Sequence, residues 1–280
     1  MSSPPSQSTS PRPTPDDFIA LTARRRTLMG ILNVTPDSFS DGGRFETPET
    51  ALTQANHLAS EGADIIDIGA ESTRPGHQPI SADAEWRRLA DVLPSIVAAT
   101  NLPLSIDTMK AEVAARALAA GACVVNDVWG LQRDPAMADV VAAAGAATIV
   151  MHNREMRDAD IDIVDDMQRF FERSLAIAAR AGIAATRIVL DPGIGFGKTK
   201  AQNVAALAAV PVLRRFGCPV LIGVSRKSLF GALLGADGDE RLVPTIAANL
   251  ATATLGARIF RVHDVREQRM AFAVFDALGI

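Results

Sequence analysis

The chain has 280 residues, is 48% hydrophobic and carries a formal net charge of −4. A chain of this length can bury roughly 75% of its unfolded surface, so a large single core is expected. The slight acidity gives no electrostatic footprint for nucleic acid or an anionic membrane, and no apolar run approaches the ~20 residues needed to span a bilayer. Residues 1–16 hold five prolines and five serines and almost no apolar side chains. Such a segment cannot offset its ordering entropy by burial. It also lacks the apolar stretch of a secretion signal and the Arg-rich pattern of a transit peptide. It is expected to be a disordered tail, followed by one folded domain over 17–280. Cys123 and Cys218 stand far apart in apolar surroundings, as reduced core residues of a cytoplasmic protein would.

Eight short apolar runs follow, at 28–33, 64–69, 104–107, 123–126, 148–152, 187–191, 220–223 and 258–262. Most are rich in Ile and Val and show little alternation, the mark of strands buried on both faces in a parallel sheet. Helical patterns lie between them. One spans 47–60, with Thr47 as cap and Pro48 at the first helical position. Another covers 81–99, with Trp86, Leu89, Val92 and Leu93 at helical spacing. Thr108 is expected to cap a helix that stops at Gly121, and Asp134-Pro135 opens the next. Further helices are predicted over 164–181, 199–209, 228–234, 245–255 and 264–278. Strands alternating with crossover helices imply an α/β fold, a single (β/α)8 TIM barrel. An open doubly wound sheet would announce a glycine-rich turn after its first strand. Here that strand ends in Asn33-Val34-Thr35-Pro36-Asp37, which opens a polar loop.

In such a barrel the carboxyl ends of the strands converge on one face, where polar residues read as an active site. Two groups of unlike chemistry stand there. Asp107, Asn126 and Asp191 offer hydrogen-bonding groups without positive charge. They match a flat heterocycle with several N–H donors, and the N–H/NH2 edge of a 2-amino-4-oxo ring pairs bidentately with a carboxylate. Arg74, Lys227, Arg261 and His263 suit a phosphate or diphosphate. Asn33 adds a neutral oxygen of the kind Mg2+ accepts when phosphates and water complete its shell. Taken singly, each Asp also reads as a helix cap and each Arg or Lys as a solvated surface charge. The stretch 191–199, DPGIGFGKT, looks like a phosphate loop, but Pro192 stands where G-x-x-x-x-G-K-T needs glycine. Its glycines are read instead as a loop under a flat ligand, walled by Phe196. No G-x-S-x-G, no H-E-x-x-H and no Cys–His pairing is present. Displacement of a diphosphate leaving group by a neutral amine is therefore favoured over covalent catalysis.

These residues fall in motifs that resemble the dihydropteroate synthase family of folate biosynthesis. MGILNVTPDSFSDGG (29–43) and GADIIDIGAESTRPG (62–76) are the longest. SIDT-x-K (105–110), VVNDV (124–128), LDPGIGFGK (190–198), SRKS (225–228) and RVHDV (261–265) follow in order. The resemblance implies a pterin-binding barrel that joins 6-hydroxymethyl-7,8-dihydropterin diphosphate to 4-aminobenzoate, with Mg2+ as cofactor and a homodimeric assembly. It implies that Asp107, Asn126, Asp191 and Lys227 line the pterin pocket. Thr73, Arg261 and His263 would meet the diphosphate, with Asn33 near Mg2+. Thr73, Arg74 and Ser228 would border the aminobenzoate, and Lys227, Arg261 and His263 would carry the catalysis. One departure is Asn153, which stands where the family often has methionine. Two other readings are a pterin-dependent methyltransferase on a related barrel and a catalytically idle pterin-binding paralogue. The diphosphate cup of Lys227, Arg261 and His263 weighs against the first, and the intact motifs against the second.

Overall fold

The computed structural model describes residues 12–35, 47–72, 78–235 and 238–279. Among them, eight strands form one parallel sheet: β1 (Thr27–Asn33), β2 (Ile65–Gly69), β3 (Leu104–Asp107), β4 (Val124–Asp127), β5 (Ala147–Met151), β6 (Ile188–Asp191), β7 (Leu221–Ile222) and β8 (Ile259–Val262). Their order is β6-β5-β4-β3-β2-β1-β8-β7. A parallel bridge between Leu190 and Val220 joins the two ends. The sheet thus closes into the expected barrel, each predicted strand standing within two residues of its expected ends.

The strands were expected to be apolar on both faces, and the two faces carry separate cores. Outward residues such as Leu28, Ile66, Ile106, Val125, Val150, Leu190 and Phe260 pack in the cluster shared with the helices. Inward residues Met29, Ile65, Val124, Ile149, Val189, Leu221 and Ile259 form a second cluster inside the ring. Side chains alternate faces along a strand. Two residues further along, the inward positions are Ile31, Asp67, Asn126, Met151, Asp191 and Arg261. The barrel interior is therefore apolar at its amino-terminal half and polar at its carboxyl-terminal half.

The helices in chain order are α1 (Pro15–Arg24), α2 (Pro48–Ser60), α3 (Ala82–Leu89), α4 (Val92–Ala99), α5 (Ala111–Ala120), α6 (Met137–Ala143), α7 (Ile163–Ala181), α8 (Lys200–Ala208), α9 (Val210–Leu213), α10 (Ser228–Leu234), α11 (Leu242–Thr254) and α12 (Val265–Ala277). Three departures from expectation have a clear physical cause. Residues 14–16, assigned to a disordered tail, instead start α1: Thr14 forms a capping box with Asp17, and Pro15 is the first helical residue. Both are strong start signals, hidden here by the Pro/Ser composition around them. Phe18 of α1 is fully buried in the inner cluster, so the helix plugs the amino-terminal mouth of the barrel. Arg25 pairs with Asp64 just before β2, and Arg187 just before β6 reaches Asp16 at 3.0 Å. The single helix expected over 81–99 is broken at Ala90-Asp91. Pro94 explains the break, because its ring would meet the carbonyl of residue 90 in a continuous helix. Finally, α5 starts at Ala111 rather than from a Thr108 cap, and Asp134, in the neighbouring loop after β4, accepts the Ala111 N–H at 2.8 Å.

Candidate active site

The polar half of the barrel interior is organised around Arg261. Its Nε donates to Asp67 Oδ2 at 2.6 Å and its Nη2 to Asp107 Oδ2 at 2.8 Å. Asn126 Nδ2 donates to the same Asp67 oxygen at 3.2 Å. All three partners are buried, and Asp67 Oδ1 and Asp107 Oδ1 have no hydrogen-bond partner among the described residues. Burial pushes Asp107 up to about 7, with Arg261 opposing and Asp67 reinforcing. Burial also works against the Arg261 charge, but Asp67 and Asp107 outweigh it and hold that pKa above its ordinary value. Space above this layer is kept by glycine. A Cβ at Gly69 would lie 3.7 Å from both Asn33 Oδ1 and Asp107 Oδ2, and one at Gly223 would lie 3.6 Å from Asp191 Oδ2.

Asp191 and Lys227 face each other on the opposite side of the ring. Burial raises Asp191 against the pull of Lys227, and burial lowers Lys227 to about 8 against the pull of Asp191. Asp191 Oδ1 accepts the Gly193 N–H at 2.7 Å. Lys227 Nζ donates to the Ile194 carbonyl and lies 4.6 Å from the centre of the Phe196 ring, a cation–π contact. Lys227 is itself aimed by its neighbour. Arg226 has φ 55, a left-handed conformation that a long side chain rarely adopts. Its guanidinium is held by both carboxylate oxygens of Asp264, one at 3.0 Å from Nε. The loops after β7 and β8 are joined again where Ser225 Oγ meets His263 Nδ1 at 2.9 Å. Beside the ring, a cleft of about 780 Å3 opens between Met109, Trp129, Arg133, Asn153 and Phe196, over the carboxyl ends of β3 to β6.

Residues 29–263 match the family described as pterin binding enzyme. The dihydropteroate synthase of Bacillus subtilis is 42% identical over 260 residues, covering 92% of this chain and 91% of its own length. The chain belongs to the pterin-binding enzyme family, among its dihydropteroate synthases. Two solved structures of such synthases superpose closely. That from Clostridium difficile, in the presence of pteroic acid, has a TM-score of 0.87 at 45% identity and covers 91% of this chain and 97% of its own. That from Xanthomonas albilineans, with 4-aminobenzoic acid, has a TM-score of 0.87 at 44% identity and covers 91% and 94%.

In this pterin-binding barrel the expected site residues fall as follows. Asp107, Asn126 and Arg261 share one hydrogen-bonded network through Asp67, while Asp191 and Lys227 attract each other as charges and Phe196 lies against the Lys227 ammonium. Asn33 ends β1 in register with Gly69, beside Asp107. His263 is half-buried after β8, and Ser228 is exposed as the first residue of α10. Thr73 and Arg74 lie outside the described residues, as does the loop after β1 from residue 36 to 46. The expectation of a cationic group apart from the acidic one is corrected. Arg261 and Lys227 stand among the carboxylates, because a buried carboxylate and a buried cation each lower the burial penalty of the other. Asn153 is on the cleft wall, its Oδ1 accepting the Arg154 N–H at 2.7 Å. The sulfur side chain in register with Asp191 is Met151.

Sequence reasoning passed over three residues. Asp67 lies inside an apolar run, and only the alternation of faces, two positions before Gly69, marks it as inward. Lys110 sits in a quoted motif; it pairs with Glu71 and, at 2.6 Å, with fully buried Glu85. Lys198 ends the apparent phosphate loop yet is only 1% exposed. Burial lowers its pKa to about 7, against the pull of Asp191.

Proposed function

We propose that this chain is a transferase that joins 6-hydroxymethyl-7,8-dihydropterin diphosphate to 4-aminobenzoate, yielding 7,8-dihydropteroate and diphosphate for folate biosynthesis. The observation that carries the reading is the buried set of acceptors at the barrel mouth: Asp107, with one oxygen unpartnered among the described residues, Asn126, and Asp191 beside Lys227. A carboxylate left unpaired in a dry site is costly unless a ligand pairs with it. The N–H and NH2 groups of a pterin supply that pairing, and its carbonyl oxygen suits the ammonium of Lys227.

In the reaction the methylene C–O bond to diphosphate breaks and the oxygen keeps the electron pair. The amine nitrogen bonds to the same carbon and gives up one proton. Nothing in this exchange needs a protein nucleophile. The site binds the pterin edge-on, orients its methylene group toward the barrel mouth, and offers Lys227, Arg261 and His263 to the departing negative charge. Thr73 and His263 are assigned to the diphosphate, and Thr73, Arg74 and Ser228 to the aminobenzoate.

Magnesium is part of the proposal as the counterion that arrives on the diphosphate. The donor chemistry fits that role: Asn33 supplies one neutral amide oxygen, and the described residues hold no cluster of three His, Cys, Asp or Glu side chains that would cage an ion. When bound, the ion would neutralise charge on the leaving group, with phosphate oxygens and water completing its shell. A homodimer is proposed too. It is supported by Val204, Leu233, Leu234 and Val243, large apolar side chains left 41 to 74% exposed around α8, α10 and the start of α11. Cytoplasmic residence accords with the free, buried state of Cys123 and Cys218.

The test is direct. Purified protein with both substrates and Mg2+ should form dihydropteroate, and omission of either substrate should abolish it. Folded protein that binds the pterin and yields no dihydropteroate would overturn the reading. Light scattering reads the mass of the assembly, and a monomer at micromolar concentration would remove the dimer.

A further inference from the structure

The DPGIGFGKT stretch invites the reading of Lys198 as a phosphate ligand, and the geometry points elsewhere. Its ammonium is turned inward, 1% exposed, and donates to the carbonyls of Gly193 at 2.8 Å, Phe196 at 3.1 Å and His152 at 3.3 Å. A lysine ammonium has three N–H donors and no more. Three acceptors within bonding distance engage all of them, so none is left for a diphosphate. The carbonyls belong to two segments: the 193–197 loop after β6 and the residue that follows β5. Those segments are pressed together without side chains between them. Gly193 has φ +65, and a Cβ there would collide with the His152 carbonyl oxygen.

We propose that Lys198 is a positioning residue of the pterin pocket, its buried ammonium gathering three backbone carbonyls and so fixing the loop on which Asp191, Lys227 and Phe196 depend. The dependence is explicit in the contacts. Gly193 gives its N–H to Asp191, Ile194 gives its carbonyl to Lys227, and Phe196 lies against the Lys227 ammonium. Without the ammonium, the Gly193, Phe196 and His152 carbonyls would point at one another in a space closed to water. Like dipoles so arranged repel, and the loop would open to hydrate them. The role rests on the pterin-binding reading of the site, but it concerns how the pocket is held, not which reaction follows.

Binding separates this role from a phosphate contact. Full-length Lys198→Met, which keeps the length of the side chain and removes its donors, is titrated with 6-hydroxymethylpterin and with its diphosphate ester. A positioning role predicts at least a tenfold loss for both ligands by a similar factor, with Lys198→Arg, which keeps N–H donors, recovering part of it. A loss confined to the diphosphate ester would make Lys198 a phosphate ligand and overturn the proposal, as would unchanged pterin binding in folded Lys198→Met. Should neither variant fold, the wild-type protein decides. The 15N-detected lysine ammonium signal of Lys198 should be slow to exchange and unmoved by inorganic diphosphate; a shift on titration overturns the proposal. A wild-type protein that binds the pterin and makes no dihydropteroate would sink the reaction, and these ratios would still judge Lys198.

Discussion

At the scale of single residues, the site is a contest between burial and charge pairing. Asp67 and Asp107 flank Arg261, and each acid keeps one oxygen without a partner among the described residues. Replacing Asp67 by Asn leaves the shape and removes half of the charge that holds the guanidinium. A loss of about 2–4 kcal/mol in unfolding free energy is expected, since a buried cation then lacks one carboxylate; denaturant titration measures it. Asp191→Ala, by contrast, should cost about 2–4 kcal/mol in pterin affinity, the worth of a charge-assisted pair. Unchanged affinity by calorimetry would contradict its assignment. His152 titrates in the opposite sense to the acids. It is fully buried, with Nε2 3.1 Å from Asp166, and burial lowers its pKa from 6.5 to about 3. Between those values the unfolded chain takes up a proton that the folded chain refuses. Stability is therefore lost as pH falls from about 6.5 toward 3, at up to about 1.4 kcal/mol per pH unit. His152→Gln should flatten that decline relative to wild type. The comparison cancels Asp107 and Asp127, whose burial-raised pKa values act in the other direction. Much at this scale was legible: Asp107, Asn126 and Asp191 stand at strand ends and Lys227 in the loop after β7, and polar residues after apolar runs stand out. Asp67 and Lys198 were not, because one hides within an apolar run and the other ends a familiar-looking glycine loop.

At the scale of elements, the barrel separates what it is for from what holds it up. α1 closes the amino-terminal mouth with Phe18, at the far end of the strands from Arg261 and Lys227. Phe18→Ala empties a large buried volume and should cost about 3–5 kcal/mol of stability. Its kcat/KM below the melting transition should stay within about twofold of wild type, because Phe18 packs with the apolar cluster at the amino-terminal end of the strands, away from Arg261 and Lys227. A kinetic loss as large as the stability loss would show the two ends to be coupled. The sequence predicts the strands well because parallel strands need apolar residues on both faces. It predicts α1 poorly because the capping box at Thr14 is set among prolines and serines that read as unstructured. The break between α3 and α4 was available in Pro94, a residue outweighed by the helical spacing of its neighbours.

At the scale of the molecule, the alternation of strands and crossover helices was enough to give the barrel, since few other folds accommodate that order. What alternation does not give is the depth of the site, which depends on where inward residues change from apolar to charged. One feature of the ring reaches beyond both. β1 pairs through its first four residues with β8, Thr27 beside Ile259 and Gly30 beside Val262. During synthesis the opening strand must therefore wait until β8, at Ile259–Val262, has left the ribosome before one of its edges is covered. Every shorter nascent chain carries an exposed strand edge, the kind that recruits other chains. A version truncated after Ala257 should accumulate as insoluble material that sedimentation reads directly, although it retains seven of the strands described here. Arrival of β8, rather than any local segment, sets when this barrel becomes safe from aggregation.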